Sequence, residues 1–257
     1  MKQNIDICDL AVIGDRRTCA YISKNGSVVW YCPGRFDGPS LFADLLDPGK
    51  GGVWELYIPQ FVFEKRSYIR DSSVLQTHFS GAAGKLKVED WMPMGADFTG
   101  ICRMLSETPV PLQIKLLPKP DYGRTAAKVV VNGAAVSING TQFLYASHLL
   151  QTEGGIITCL VPAGEKSWFV LSDKEMPVMA QLLEQAKEAT LRKWQEVNSH
   201  ITYHGPYETE MRNSLRMLRL MTYAENGGIV AAGTTSLPEV PGGSRNYDYR
   251  ARYCHDC

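Results

Sequence analysis

Residues 19–32 read CAYISKNGSVVWYC. Two runs rich in Val, Ile, Tyr and Trp flank Asn25-Gly26, the dipeptide that favours a type I′ turn between antiparallel strands. The stretch therefore predicts a β-hairpin. Outward from it the pattern repeats. VWELYIPQFVFEKRSYI alternates and carries aromatics, with Pro59 marking a break or an edge. SVLQTHFSGAAGKLKVEDWM predicts a second hairpin around Gly81–Gly84, and KVVVNGAAVSING a third around Asn132-Gly133. TQFLYAS, GGIITCLVPAG and KSWFVLS continue the series. From residue 10 to about 172, turn signals recur every 8–12 residues or so. The expected fold is mainly β: an antiparallel β-sandwich of two sheets packed face to face.

The composition then shifts. From Val178 to Val197 the apolar residues Met179, Leu182, Leu183, Ala186, Trp194 and Val197 recur at helical spacing, with Glu184, Gln185, Lys187, Glu188 and Arg192 opposite. That period predicts an amphipathic helix of about five turns. A second helix is expected from Pro206, which suits a first helical position, with Glu208 and Glu210 at the positive end of its dipole. It runs through Met211, Leu215, Leu218 and Thr222 and stops at Asn226-Gly227-Gly228. Met217, Leu220 and Met221 form a second apolar stripe, so this helix expects neighbours on two sides.

Charge excludes some partners. Lys+Arg and Asp+Glu both number 27, and the zero balance gives no electrostatic reason for nucleic acid or an anionic membrane. The opening MKQNIDICDLAVIGDRR has no apolar run long enough for a signal peptide or anchor, which makes the cytoplasm the expected location. Cysteines stand at 8, 19, 32, 102, 159, 254 and 257. Their odd number and scatter predict buried thiols in a reducing compartment. Cys254-His255-Asp256-Cys257 is one C-x-x-C without the second pair that zinc needs, and reads as chance. His200 and His204 are four apart, but Gly205-Pro206 breaks any helix there, so no metal site is expected. GxSxG, P-loop and GxGxxG motifs are absent, and no cofactor is implied.

Three segments concentrate polar chemistry. In IGDRRTCAYISKNGSVVWYCPGRFDGPSLFADLLD, the residues Asp15, Arg17, Arg35, Phe36 and Asp37 suit a polar rim over a sugar cleft. The bland alternative has Arg35 and Asp37 bonding the local backbone, with PSLFADLLD a short capped helix. In VEDWMPMG, Asp90 and Trp91 offer a stacking platform for a hexose, or Trp91 is simply core. TTSLPEVPGGSRNYDYR crowds hydroxyls, amide, carboxylates, guanidinium and aromatics, the mixture that binds neutral sugars; a polar loop satisfying its own backbone is the alternative.

These pieces, with PKPDYGR and GPYETEMRNSLRMLRLMTYAENGGIVAAGTTSLPE, resemble the N-terminal part of the glucoamylase/trehalase-type glycoside hydrolases of family fifteen. The pieces lie in the family's order from residue 10 onward. The resemblance implies an antiparallel β-sandwich (a two-sheet super-sandwich), then linker helices and the first helix of an incomplete α/α barrel. The expected divisions are 1–175 for the sandwich, 176–205 for the linker helix and 206–257 for the start of the barrel. Family members hydrolyse α-linked glucose, in starch and malto-oligosaccharides or in trehalose, with inversion. One glutamate protonates the glycosidic oxygen and another activates water on the opposite face of the ring. Both are expected downstream of RNYDYR, so neither Glu225 nor Glu239 takes a catalytic role, and no catalytic residue is assigned.

Substrate binding is expected from Asn246, Asp248, Tyr249 and Arg250, with Tyr253 and Asp256, and a candidate cleft rim from Arg35, Asp37 and Trp91. The family motif ends in an Arg-Asp pair that grips the sugar. In one register Asp256 is that aspartate, His255 replaces the arginine and Tyr253 a tryptophan; in another the pair is missing. Histidine does not reproduce arginine's bidentate fork. The departure after Arg250 fits a truncated or frameshifted member, inactive alone. Two rivals stay open: a stand-alone carbohydrate-binding or regulatory sandwich, and one half of a split hydrolase whose α-barrel is a separate chain.

Overall fold

A computed structural model describes residues 5–132, 135–177, 179–234 and 252–253. Strands β1 (Ala11–Gly14), β2 (Cys19–Ile22) and β3 (Val28–Tyr31) pair antiparallel in succession. The hairpin at 19–32 is present, but its turn is not the two-residue type. Gly26 takes φ 82° while Asn25 stays outside the left-handed region. The Gly26 amide donates to Ser23 O at 2.8 Å and the Ser23 amide to Ser27 O at 2.9 Å. A three-residue loop with a glycine bulge results. The Asn25 side chain favours it, because its Oδ1 accepts from the Ser23 hydroxyl and the Ser27 amide.

The long connection after β3 also departs from expectation. Residues 39–47 form turns, not a short helix. Tyr31 and Phe42 make an isolated bridge that carries Phe42 into the core. Strands β4 (Val53–Tyr57), β5 (Val62–Tyr68), β6 (Leu75–Gly81), β7 (Gly84–Trp91), β8 (Gly100–Leu105) and β9 (Leu112–Leu117) follow. Then come β10 (Val129–Asn132), β11 (Ala135–Ile138), β12 (Gln142–Ala146), β13 (Leu150–Glu153), β14 (Ile156–Val161) and β15 (Ser167–Ser172). A 7-stranded sheet has the order β1-β2-β3-β4-β9-β14-β13, and an 8-stranded sheet the order β10-β11-β12-β15-β8-β7-β6-β5. All their pairings are antiparallel, which makes the fold a β-sandwich. Pro59 marks the point where the chain leaves the first sheet at β4 and enters the second at β5.

Inward-facing residues of both sheets share one core, including Ile13, Trp54, Ile114, Leu75, Val88 and Phe169. Trp54 meets Phe169 edge-on across the gap, with centroids 6.3 Å apart. One ion pair lies inside that core. Asp90 on β7 faces Arg103 on β8, both 0% exposed, with Nε to Oδ1 at 2.7 Å. Arg103 Nη2 also donates to Gly26 O at 2.6 Å, and the guanidinium lies 4.9 Å from the Trp54 ring centroid. The pair thus ties the second sheet to the first hairpin turn. At one edge, the Tyr68 hydroxyl bridges the Val12 backbone, donating to O at 2.8 Å and accepting from N at 3.0 Å.

The linker helix spans Ala180–Asn198 and lays Leu183, Ala186 and Leu191 on the outer face of the 8-stranded sheet, against Val74, Trp91, Cys102 and Val170. Lys187 reaches Glu89 on β7 at 3.1 Å, and Glu89 also takes hydrogen bonds from Lys87 and Gln76. Burial pushes the Glu89 carboxyl up, but the hydrogen bonds from Lys87, Gln76 and Lys187 outweigh it and hold the group below 4.5. Its folded-state value is depressed, so its contribution is present above about pH 4.5 and is lost as pH falls through the lower folded value. Urea midpoints measured between about pH 6 and 3 should fall with acid, and fall less in Glu89→Gln. An unchanged slope in that variant would contradict the assignment.

The second helix spans Glu208–Met221, starting two residues after Pro206, with Tyr207 at its N-cap in a left-handed conformation. Each of its two apolar stripes is split between covered and exposed residues. Leu220 is 0% exposed and Met221 is buried, packed with Val12, Phe36 and Trp194, while Leu218 is 52% and Met217 37% exposed. Met211 and Leu215 line a groove of about 290 Å³ against the end of the linker helix. The sandwich claims the Leu220 stripe because Gly14 on β1 leaves room for it: a Cβ there would stand 3.1 Å from Leu220 Cδ2. Beyond the helix, β16 (Ile229–Val230) pairs with β17 (Arg252–Tyr253). Among the described residues, no helix is long and apolar enough to cross a membrane.

Candidate functional site

The candidate rim is built on the turn between β1 and β2. Asp15 Oδ1 accepts the amides of Arg17 and Thr18 at 2.9 and 3.0 Å, while Thr18 Oγ1 donates to Cys32 O at 2.6 Å. Burial pushes the Asp15 carboxyl up, against the lowering effect of those amides. This local ring forces Arg16 to φ 70°. Arg16 Nε then donates to Thr222 O at 3.3 Å, and its carbonyl accepts the Ala224 amide at 2.8 Å. Arg17 pairs with Glu225 at 3.1 Å.

Phe36 reaches the same place from the connection after β3, its amide donating to Arg17 O at 3.0 Å. Its ring meets Tyr223 edge-on at 6.4 Å. Arg35 makes a two-pronged contact with Asp37, Nε to Oδ1 at 2.8 Å and Nη2 to Oδ2 at 3.0 Å, and its guanidinium lies 5.6 Å from the Tyr223 ring centroid. The structure therefore gathers Asp15, Arg17, Arg35, Phe36 and Asp37 around Tyr223 and Glu225, the segment that follows the second helix.

Magnitudes decide what this cluster does. Both partners of the Arg17–Glu225 pair are about half exposed, and such a pair contributes roughly 0–1 kcal/mol. Burying an aromatic or aliphatic side chain contributes about 1.5–3 kcal/mol. Phe36, Leu220, Tyr223 and Val230 are all buried in one cluster, so apolar packing holds the junction and the charges orient it. Arg35 bonds Asp37 rather than the local backbone. Its position beside Tyr223 keeps a guanidinium and a carboxylate exposed at the edge of the junction.

Trp91 is not part of that edge. It is 0% exposed, lies beneath the linker helix and carries Lys187 Nζ 5.9 Å from its ring centroid. Its neighbours leave no face for a sugar, and Asp90 is spent on Arg103. Asn246, Asp248, Tyr249, Arg250 and Asp256 lie outside the described residues. For Tyr253 the backbone alone is placed, opposite Ile229. Tyr223 was missed by sequence reasoning, which placed it at the end of the second helix; an aromatic just before Asn226-Gly227-Gly228 was the available signal. Among the described residues no group of three or more His, Cys, Asp or Glu side chains is placed to hold a metal ion.

Comparison with known proteins supplies the family. Residues 2–153 match the family described as trehalase-like, N-terminal. The chain is 30% identical to trehalase 1 of Sulfolobus acidocaldarius over 259 residues, covering 96% of this chain and 43% of that protein. It is 28% identical to the trehalase of Mycolicibacterium smegmatis over 292 residues, covering 97% of this chain and 43% of that protein. A bacterial glucoamylase crystallised with acarbose superposes with a TM-score of 0.61 over 88% of this chain and 42% of that one. At 8% identity, that likeness concerns the fold. The chain thus spans about two fifths of the length of the curated relatives it matches. With more than half of its residues matched by that family, the chain belongs to the trehalase-like N-terminal domain family.

Proposed function

We propose that this chain is the N-terminal part of an inverting α-glucoside hydrolase whose preferred substrate is trehalose. The observation that carries the reading is the shared core of Phe36, Leu220, Tyr223 and Val230. It joins the sandwich to the second helix and to the segment leading toward Asn246, Asp248, Tyr249 and Arg250. The trehalases among the relatives support trehalose over starch or malto-oligosaccharides.

In this reading residues 1–175 are the sandwich, 176–205 the linker and 206–257 the start of an α/α barrel. Asn246, Asp248, Tyr249, Arg250, Tyr253 and Asp256 bind glucosyl hydroxyls and stack on the ring, while Arg35 and Asp37 edge the cleft. The carboxylates that protonate the leaving oxygen and activate water belong to the barrel, beyond the 246–250 motif. These 257 residues alone do not turn over substrate, and an α-barrel, in the same protein or as a separate chain, is the partner that completes the site. Exposed Met217, Leu218 and Ile229 suit that partner. A cytoplasmic location agrees with the free thiols of Cys8, Cys19, Cys32, Cys102 and Cys159.

The test of specificity is steady-state glucose release by the chain mixed with the α-barrel of a related trehalase, on trehalose, maltose and maltotriose. The expected kcat/KM is highest for trehalose. A preference for maltotriose would overturn the substrate assignment.

A further inference from the structure

The 7-stranded sheet ends in β1 and β13 and the 8-stranded sheet in β10 and β5. An uncovered edge strand is a template for another strand, and folded proteins guard against this with charge, bulges or cover. Three of these edges are guarded. At β1 the Tyr68 hydroxyl occupies both backbone atoms of Val12, and Arg66 donates to the Asp9 and Leu10 carbonyls just before it, each at 2.8 Å. β5 carries Glu64, Lys65 and Arg66 and a register shift between Phe63 and Lys65. β13 is mostly polar and ends in a charge, reading Leu150-Gln151-Thr152-Glu153.

β10 has no such device. It reads Val129-Val130-Val131-Asn132, pairs regularly with β11, and contains no charge, proline or bulge. Val130 is 46% and Val131 54% exposed. Successive side chains of a strand point to opposite faces, so the strand is bare on both. Val131 lies opposite Val136, which belongs to the shared core, and the sandwich still does not close over it.

Register identifies the unused backbone groups. The Asn139 amide donates to Lys128 O at 2.8 Å, so Lys128 turns toward β11. Bonded and non-bonded positions alternate along an antiparallel pair. Val130 and Asn132 therefore also bond toward β11, while Val129 and Val131 turn their N–H and C=O groups to the open edge.

We propose that β10 is a self-association edge, at which two copies of this chain pair their β10 strands antiparallel about a twofold axis. With Val130 opposite Val130 of the second copy, Val129 falls opposite Val131, and the outward-turned groups of both strands bond one another. Each half-exposed Val131 gains a valine neighbour on the core face. The same register sets Lys128 opposite Asn132 of the second copy. Asn132 Nδ2 donates to Glu175 Oε1 at 2.6 Å, so a carboxylate waits where each Lys128 arrives. Valines at the centre and opposite charges at both ends make the edge complementary to itself, as a twofold contact requires. The inference does not depend on the glucoside assignment.

Sedimentation velocity on the intact chain tests this. An interface of one strand pair is small and transient, so monomer should prevail near about 1 μM and dimer near about 100 μM. Val130→Lys sets two ammonium groups against each other on the axis and should raise the dissociation constant about tenfold or more. Lys128→Glu should raise it about fivefold, and adding Glu175→Lys should restore it. Leu218→Lys, on the exposed side of the second helix, should leave it unchanged. Thermal midpoints at about 1 μM should stay within about 2 °C for all of these surface variants. A monomer at every concentration would overturn the proposal, as would a dimer that survives Val130→Lys or is broken by Leu218→Lys. A charge exchange that fails to restore association would overturn the antiparallel register.

Discussion

Replacing Asp90 with alanine is expected to destabilise the protein by about 3–5 kcal/mol, the range for removing one partner of a buried ion pair. Arg103 would keep its charge at 0% exposure with only Gly26 O and the Trp54 ring beside it, and its Nη1 already has no hydrogen-bond partner. Burial raises the Asp90 carboxyl above its ordinary value, and the facing Arg103 offsets only part of that rise. The double replacement Asp90→Leu with Arg103→Met removes both charges and should recover most of the loss. Urea unfolding of the two singles and the double gives the coupling. A single-variant loss below about 1 kcal/mol would mean that Gly26 and Trp54 suffice for Arg103.

Trp194→Ala should be nearly as damaging, at about 3–5 kcal/mol for truncating a buried aromatic. Trp194 is fully buried where the linker helix, the second helix and β1 meet, packed with Val12, Leu220 and Tyr223. Its Nε1 donates to Ser73 Oγ at 2.9 Å, and Ser73 Oγ donates in turn to Gly14 O at 3.2 Å. Trp194→Phe should lose the smaller amount expected of one net hydrogen bond, about 0.5–1.5 kcal/mol. Calorimetry should show a single transition displaced downward in Trp194→Ala. An unshifted main transition would mean that the helices unfold independently of the sandwich.

Much of this architecture was legible in the residues themselves. Gly81–Gly84 marked a hairpin that closes there, and Pro59 marked a break that proves to be the passage between sheets. The linker helix followed from Leu183, Ala186 and Trp194 at helical spacing. What local pattern did not carry was the choice between competing faces. The second helix has two apolar stripes, and Leu220 is covered while Leu218 is exposed because Leu220 meets Val12, Phe36 and the space left by Gly14, all about two hundred residues earlier. PSLFADLLD has helical composition, yet burying Phe42 through its bridge to Tyr31 overrides that preference.

The same limit applies to the site. Asp15, Arg17, Arg35, Phe36 and Asp37 were recognisable as a polar cluster because they are near in sequence. Their partners Tyr223 and Glu225 are contacts across about two hundred residues, and nothing in periodicity announces them. Trp91 at its strand end had two readings, platform or core, and the linker helix that covers it makes it core.

Glucose release from trehalose by the purified chain, with and without an excess of a related α-barrel, is the most direct test of the proposed division of labour. The expected result is no release by the chain alone and release with the barrel above that of the barrel by itself. Release by the chain alone would place catalytic carboxylates among residues assigned here to structure, and would contradict the account.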